Sequence, residues 1–371
     1  MKYHDISISE PHFGILELSY YLYCITHSKV STRNLISKNP KAAGKMAHSF
    51  HQHHQHISHT EKSNIHLKWD NSLKPVITID SGSTISLDLL DGGHNQFTAT
   101  STSSDISKYD FALGDPAVGP IFVNGASPGD VLKVEFLELS VADFGWTCIF
   151  PDFGLLSNEF LEPELKIWDL KTHREEGYAV FKEGIHIPLK PFLGVVGLAH
   201  EQDGQFSTIP PYDTGGNIDC KYITQGSTLY LPVQVEGALL SCGDGHAAQG
   251  DGEVCGTAIE TSMKASIRVT VEKSKPWVKS PHYLTASETK ASVSKGEYAA
   301  LGIDPDLREA SRKALRSLVD WLVGDKGLTR TEAYMLASVA ADLKIAEAVD
   351  MPHYAVACAL PLNVFVGKEY Q

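Results

Sequence analysis

No stretch of about 18 consecutive apolar residues occurs in this chain, so no transmembrane helix is expected. The opening Met1-Lys2-Tyr3-His4-Asp5 leads into no clean apolar run, because Glu17 interrupts Gly14–Thr26, and no signal peptide is read there. The six cysteines (Cys24, Cys148, Cys220, Cys242, Cys255 and Cys358) include no C-x-x-C pair. In 371 residues they make no disulfide framework, and a reducing, cytoplasmic setting is expected. Positive charge is scarce too. A formal net charge of −13 argues electrostatically against a nucleic-acid partner. Neither Ser227 nor Ser241 sits in a G-x-S-x-G elbow, which weakens a nucleophilic-serine reading.

What is present is a chain long enough to bury a sizeable core, with 42% hydrophobic residues. The charge is uneven: residues 1–65 carry +3, which leaves −16 for the rest. Those first residues also hold His48, His51, His53, His54, His56 and His59, a polar tract that by composition reads as a disordered extension over 1–62. The body is expected over 63–371, β-rich over 63–275, helical over 300–350, and closed by a strand within 354–366. Pro75–Ile79 and Ile85–Leu89, on either side of Ser81-Gly82-Ser83, read as a hairpin. Leu132, Val134 and Phe136 alternate with Lys133 and Glu135, as do Ile267, Val269 and Val271 with Arg268, Thr270 and Glu272; period two marks strands. Leu307, Ala310, Ala314, Leu315, Leu318 and Leu322 repeat at three and four, predicting a helix that opens after Asp306 and closes at Gly324. Thr329-Arg-Thr-Glu332 is a capping-box pattern opening a second helix to about Val349, with Tyr334, Asp342 and Lys344 on it.

The densest chemistry lies in Gly243-Asp244-Gly245-His246-Ala-Ala-Gln249-Gly-Asp251-Gly-Glu253, read as a glycine-rich loop held between strands. Carboxylate and imidazole together suit Zn²⁺ or a similar ion. Asp-Gly pairs also make ordinary turns, and a lone histidine is more often structural than a ligand. Two further glycine loops bear polar groups, Asp91–Gln96 and Gly215–Asp219.

Five segments in order resemble the acetamidase/formamidase family: Trp69-Asp70, Gly119–Asp130, Gly215–Asp219, Gly243–Glu253, and Gly327–Leu336. The resemblance spans about His66 to Phe365. It implies a mainly β, sandwich-type core with a C-terminal pair of helices (α+β overall), and hydrolysis of a linear amide at a metal centre. Departures fall at Gly93-His94-Asn95-Gln96, where Gln96 is the matching position and His94 is unusual, and at Thr214, where some relatives carry histidine. On this footing Asp219, Asp244 and His246 are the expected ligands of a divalent ion, Zn²⁺ first, with Mn²⁺ or Ca²⁺ also compatible. Glu253 is the expected general base and acid. Asn217 and Gln96 are expected to hold the substrate amide or a developing oxyanion. A cysteine route through Cys242 or Cys255 with His246 as base competes. So do a non-enzymatic metal- or ligand-binding sandwich and a lactamase-type hydrolase on a cyclic amide. The expected partner is a small-molecule amide, with no nucleic acid and no membrane, and a homodimer is the expected assembly.

Overall fold

The computed structural model describes residues 55–286 and 296–365. Of the stretch read as an extension, residues 1–54 lie outside that set, whereas Gln55–Ser58 is a strand running parallel to Ser83–Leu89. Two large sheets carry the fold. In the nine-stranded sheet, Ser83–Leu89, Met263–Glu272, Val131–Val141 and Thr228–Pro232 are consecutive neighbours. In the seven-stranded sheet, Gly215–Asn217, Phe192–Gly197, Leu240–His246 and Ala117–Asn124 lie side by side. One apolar cluster joins them: Leu87, Leu132, Val134, Ile267 and Val269 from the first sheet meet Val118, Ile121, Leu193, Val196 and Leu240 from the second. That is a sandwich, each sheet hiding one face against the other.

The alternating strands do as their pattern requires. Met263, Ala265, Ile267 and Val269 are buried, with Lys264 and Arg268 exposed between them. Along Val131–Val141 the buried side switches phase, from Leu132, Val134 and Phe136 to Leu139. A bulge opposite Ser266/Ile267 inserts one extra residue there, leaving Leu137 on the surface.

Two boundaries differ from the sequence expectation. Ile77–Asp80 and Ser83–Leu89 do not pair as a hairpin. The first runs parallel to Ala117–Asn124 in one sheet, while the second pairs with Met263–Glu272 in the other. The Ser81-Gly82 turn thus carries the chain between layers, a choice that only long-range pairing can make. At the C-terminal end, helix α1 spans Leu307–Gly324 with the Asp306 side chain accepting from Glu309 N at 2.9 Å, as expected. Helix α2, Arg330–Ala340, opens on the Thr329/Glu332 capping box. It ends nine residues before Val349. Asp342–Glu347 is an edge strand pairing with Tyr354–Pro361, so Asp342 and Lys344 lie on a strand. Ladder hydrogen bonds and burial of Ala346 outweigh the helical pattern of that stretch. No helix among the described residues is long and apolar enough to cross a membrane.

Candidate active site

The segment read as a loop from Gly243 begins as a strand. Leu240–His246 is buried throughout, flanked by Phe192–Gly197 and Ala117–Asn124. A central strand covered on both faces needs no alternation, so periodicity does not reveal it. Its glycines answer close packing: a Cβ at Gly245 would strike Thr261 O. The loop proper starts at Ala247 and returns Glu253 and Glu260 to the strand's end.

There the side chains converge on His246, which is 1% exposed. Its Nε2 lies 3.0 Å from Asp244 Oδ2, 3.1 Å from Glu260 Oε2 and 3.9 Å from Glu253 Oε1. On the other edge of the ring, Nδ1 is 3.6 Å from Asp219 Oδ1. The structure therefore brings together all three expected ligands and the expected base. It adds Glu260, which the sequence reading missed; Thr257-Ala-Ile-Glu260 has neither glycine nor histidine to draw attention. Asp244 with His246 and Glu260, and Asp219 with His246 and Glu253, each offer ligand atoms within 4.8 Å of one another. The backbone makes room at Gly194, whose carbonyl accepts Ile218 N at 3.1 Å and whose missing Cβ would sit against Asp244 Oδ2 and Asp219 Oδ1. Gly194→Ala should therefore push these two carboxylates apart and cut activity on the order of 10²-fold, because displacements of about an ångström have that effect. Metal content and ammonia release from a small amide, compared with wild type, check it.

The electrostatics are lopsided. Burial pushes the Glu260 carboxyl up to about 8 and that of Asp219 up to about 6. Burial, then the Asp219 charge, raises Glu253 well above the carboxylate range. Burial alone would lower His246, but the carboxylates of Asp244 and Glu260 outweigh it and hold the imidazole well above its ordinary value. Both oxygens of Asp219, Asp244 Oδ1 and His246 Nδ1 are buried without a hydrogen-bond partner. Among the described residues, no lysine or arginine lines the cavity. Such deep acids either keep their protons or are stabilised by a cation, and these carboxylates with one imidazole could hold a divalent ion such as Zn²⁺ or Mn²⁺. A pH dependence follows for the metal-depleted protein. Glu260 loses its proton near 4.5 when unfolded and near 8 when folded. Between those values the unfolded chain binds fewer protons, so stability falls as pH rises. His246, also raised, acts with the same sign. The thermal midpoint of chelator-treated protein should drop from pH 5 to pH 8, and added Zn²⁺ should restore more of it at pH 8 than at pH 5. A flat midpoint would contradict the arrangement.

Further carboxyls surround this group. Asp91 accepts from Trp146 Nε1 at 3.0 Å and from Asn95 N at 2.8 Å. Glu347, wholly buried and pushed by burial to about 8, accepts Asp350 N at 2.5 Å. Asp350 Oδ2 in turn accepts from Asn217 Nδ2 at 2.8 Å. Glu347 and Asp350 arrive on the edge strand and turn that replaced the expected helix, which is why the sequence did not mark them. Asn217 lines the cavity as expected, but its Nδ2 is engaged, and the atom left without a partner is the acceptor Oδ1. Gln96 is not brought to the cluster. Its Nε2 donates to Asp110 O at 3.1 Å and its Oε1 accepts Asp110 N at 2.8 Å, so both ends are spent on backbone.

The rival nucleophiles fare poorly. Cys242 is fully buried and burial pushes its thiol up to about 12, the opposite of activation. The Cys255 thiol donates to Thr257 O at 3.3 Å. Ser241 Oγ pairs with His66 Nε2 at 2.8 Å, Ser227 Oγ donates to Thr224 O at 2.6 Å, and neither serine lines the cavity. The letters Gly125-Ala-Ser127-Pro-Gly129 match the elbow string, yet they form a turn between two strands where the elbow requires a helix. The cavity itself measures about 80 Å³ and opens past Tyr109, Phe111, Phe150 and Phe153.

Comparison with known proteins identifies the family. The profile of the Acetamidase/Formamidase family matches residues 52–205 and 202–366. A formamidase of Methylophilus methylotrophus is 24% identical over 371 residues, covering 81% of this chain and 89% of that protein. The crystal structure of an acetamidase from Bacillus halodurans superposes with a TM-score of 0.75 at 29% identity, covering 84% of this chain and 98% of that one. A gamma lactamase from Delftia acidovorans, at 22% identity and a TM-score of 0.58, shares the fold.

Proposed function

This chain belongs to the Acetamidase/Formamidase family, and from that membership we propose that it hydrolyses a small linear carboxylic amide, formamide- or acetamide-like, to carboxylate and ammonia at a divalent metal site. The observation that carries the reading is His246, buried among carboxylates of which Asp219, through both oxygens, and Asp244, through Oδ1, have no hydrogen-bond partner. The ring favours one ligand set. Asp244 and Glu260 lie on the Nε2 side, at 3.0 and 3.1 Å, so these three would hold the ion. Asp219, on the Nδ1 side at 3.6 Å, is assigned to orient the ring instead of to ligate: with the ion bound it would close on Nδ1–H, and a carboxylate that accepts this hydrogen fixes a metal-bound histidine's tautomer. A bound ion supplies Lewis acidity and acidifies a water molecule.

The chain's own groups do the rest. Glu253, farther from Nε2 at 3.9 Å, keeps a carboxylate free to take a proton from the attacking water and return it to the leaving nitrogen. Burial, then the Asp219 charge, raises its proton affinity, which suits a group that must take up a proton and return it. Asn217 Oδ1 accepts from the substrate NH₂ and so places the carbonyl towards the Asp244–His246–Glu260 side. Substrate binding displaces water from a small, acid-lined space, where each of these contacts gains strength.

The test is ammonia release from acetamide and formamide by the purified full chain. Activity lost on chelation and regained with Zn²⁺ or Mn²⁺ supports the reading. Tight metal binding without any amide turnover would instead leave a metal-binding sandwich.

A further inference from the structure

We propose that Phe111 and the rings beside it form a built site for an apolar acyl group, so that this hydrolase prefers amides of short aliphatic acids to formamide. The inference rests on the amide-hydrolase reading and adds the substrate's other half.

The cavity has two chemistries. Its floor is the carboxylate cluster with His246 and Asn217, and its mouth is aromatic. Tyr109 and Phe111 meet at a centroid distance of 5.0 Å, Tyr109 and Phe150 at 4.7 Å, and Phe111 and Phe150 at 4.9 Å, in tilted and edge-to-face geometry. Trp146 stands behind them, its indole fixed on Asp91. Apart from the Tyr109 hydroxyl, such a wall offers nothing to the amide nitrogen or carbonyl. It removes methylene groups from water. Formamide, with a hydrogen for an acyl chain, would leave it unused.

The wall is tethered. Gln96 brackets Asp110 with its two hydrogen bonds, Asp110 Oδ1 accepts Ala112 N at 2.9 Å, and His94 Nδ1 lies 3.3 Å from Leu113 O. Three side chains thus hold the short turn that carries Phe111. This gives the unusual His94 and the family-matching Gln96 a role: they position an aromatic wall and touch no reacting atom. Phe111 is 51% exposed even so and lines the cavity, so an apolar group bound there would cover part of its ring and remove it from water.

The experiment compares kcat/KM for acetamide, propionamide and butyramide, whose amide bonds are of similar intrinsic reactivity, with formamide run alongside. Each buried methylene contributes roughly a fourfold gain. The butyramide-to-acetamide ratio should be on the order of tenfold in wild type and fall to about threefold or less in Phe111→Ala. Because the readout is a ratio within one protein, loss of folded material does not affect it. A series that is flat or falls with chain length overturns the inference and leaves amide hydrolysis standing. A rising series that Phe111→Ala does not flatten overturns the assignment to this wall. No ammonia from any of the four amides sinks the hydrolase reading itself, and the inference with it.

Discussion

His246→Ala should strip the divalent ion from the protein and lower kcat/KM for a small amide by on the order of 10³-fold or more. The magnitude follows from what metal assistance contributes, several kcal/mol of barrier lowering at about 1.4 kcal/mol per decade. The loss should exceed that of any single carboxylate change, because His246 alone faces Asp244, Glu260, Glu253 and Asp219 together. Four buried carboxylates would then lose their shared partner, so a lower thermal midpoint is expected as well. Metal analysis on the folded fraction separates the effects. Near-stoichiometric metal together with wild-type turnover in the variant would mean that the site lies elsewhere.

The second large effect is Glu253→Gln, expected to lower kcat by about 10²- to 10⁴-fold with metal content and KM little changed. The substitution keeps size and polarity in a residue that is 7% exposed, so the fold should tolerate it. It removes only the ability to accept and return a proton, and the acid limb of the pH–kcat profile should vanish with it. Glu260→Gln provides the contrast. That side chain lies 3.1 Å from His246 Nε2, so its loss should appear first as weaker metal binding. If the two variants behave alike, with both shedding metal, Glu253 is a ligand and another group carries the proton.

Much of this site could be read directly from the chain. Asp244, His246 and Glu253 stand in a glycine-rich polar string with no apolar side chain to bury beyond alanine methyls, and Asp219 closes a second glycine string, Gly215–Asp219. In a buried strand, a two-residue spacing brings Asp244 and His246 together. Asn217 was equally legible, although not which of its amide atoms would be free. Gln96 is expected at the substrate because it is the position that matches the family resemblance, and the structure spends it on backbone instead. Its two bonds to Asp110 could not be foreseen from a residue fourteen positions away.

The sequence by itself determined the local structure: period-two strands, the Asp306 cap of α1, the capping box of α2, and the polar strings that become the cluster. These depend on neighbours within a few residues, and nearest-neighbour chemistry is written in order along the chain. Only the tertiary structure decided which sheet each strand joins, so Ile77–Asp80 and Ser83–Leu89 part company across a two-residue turn. It also turned the stretch after Ala340 into an edge strand delivering Glu347 and Asp350, placed Glu260 on the Nε2 side of His246, and set Phe111 at the mouth of the cavity. Each of these depends on partners beyond the reach of nearest-neighbour patterns, whose pairing and burial energies exceed the small local propensities that a sequence displays.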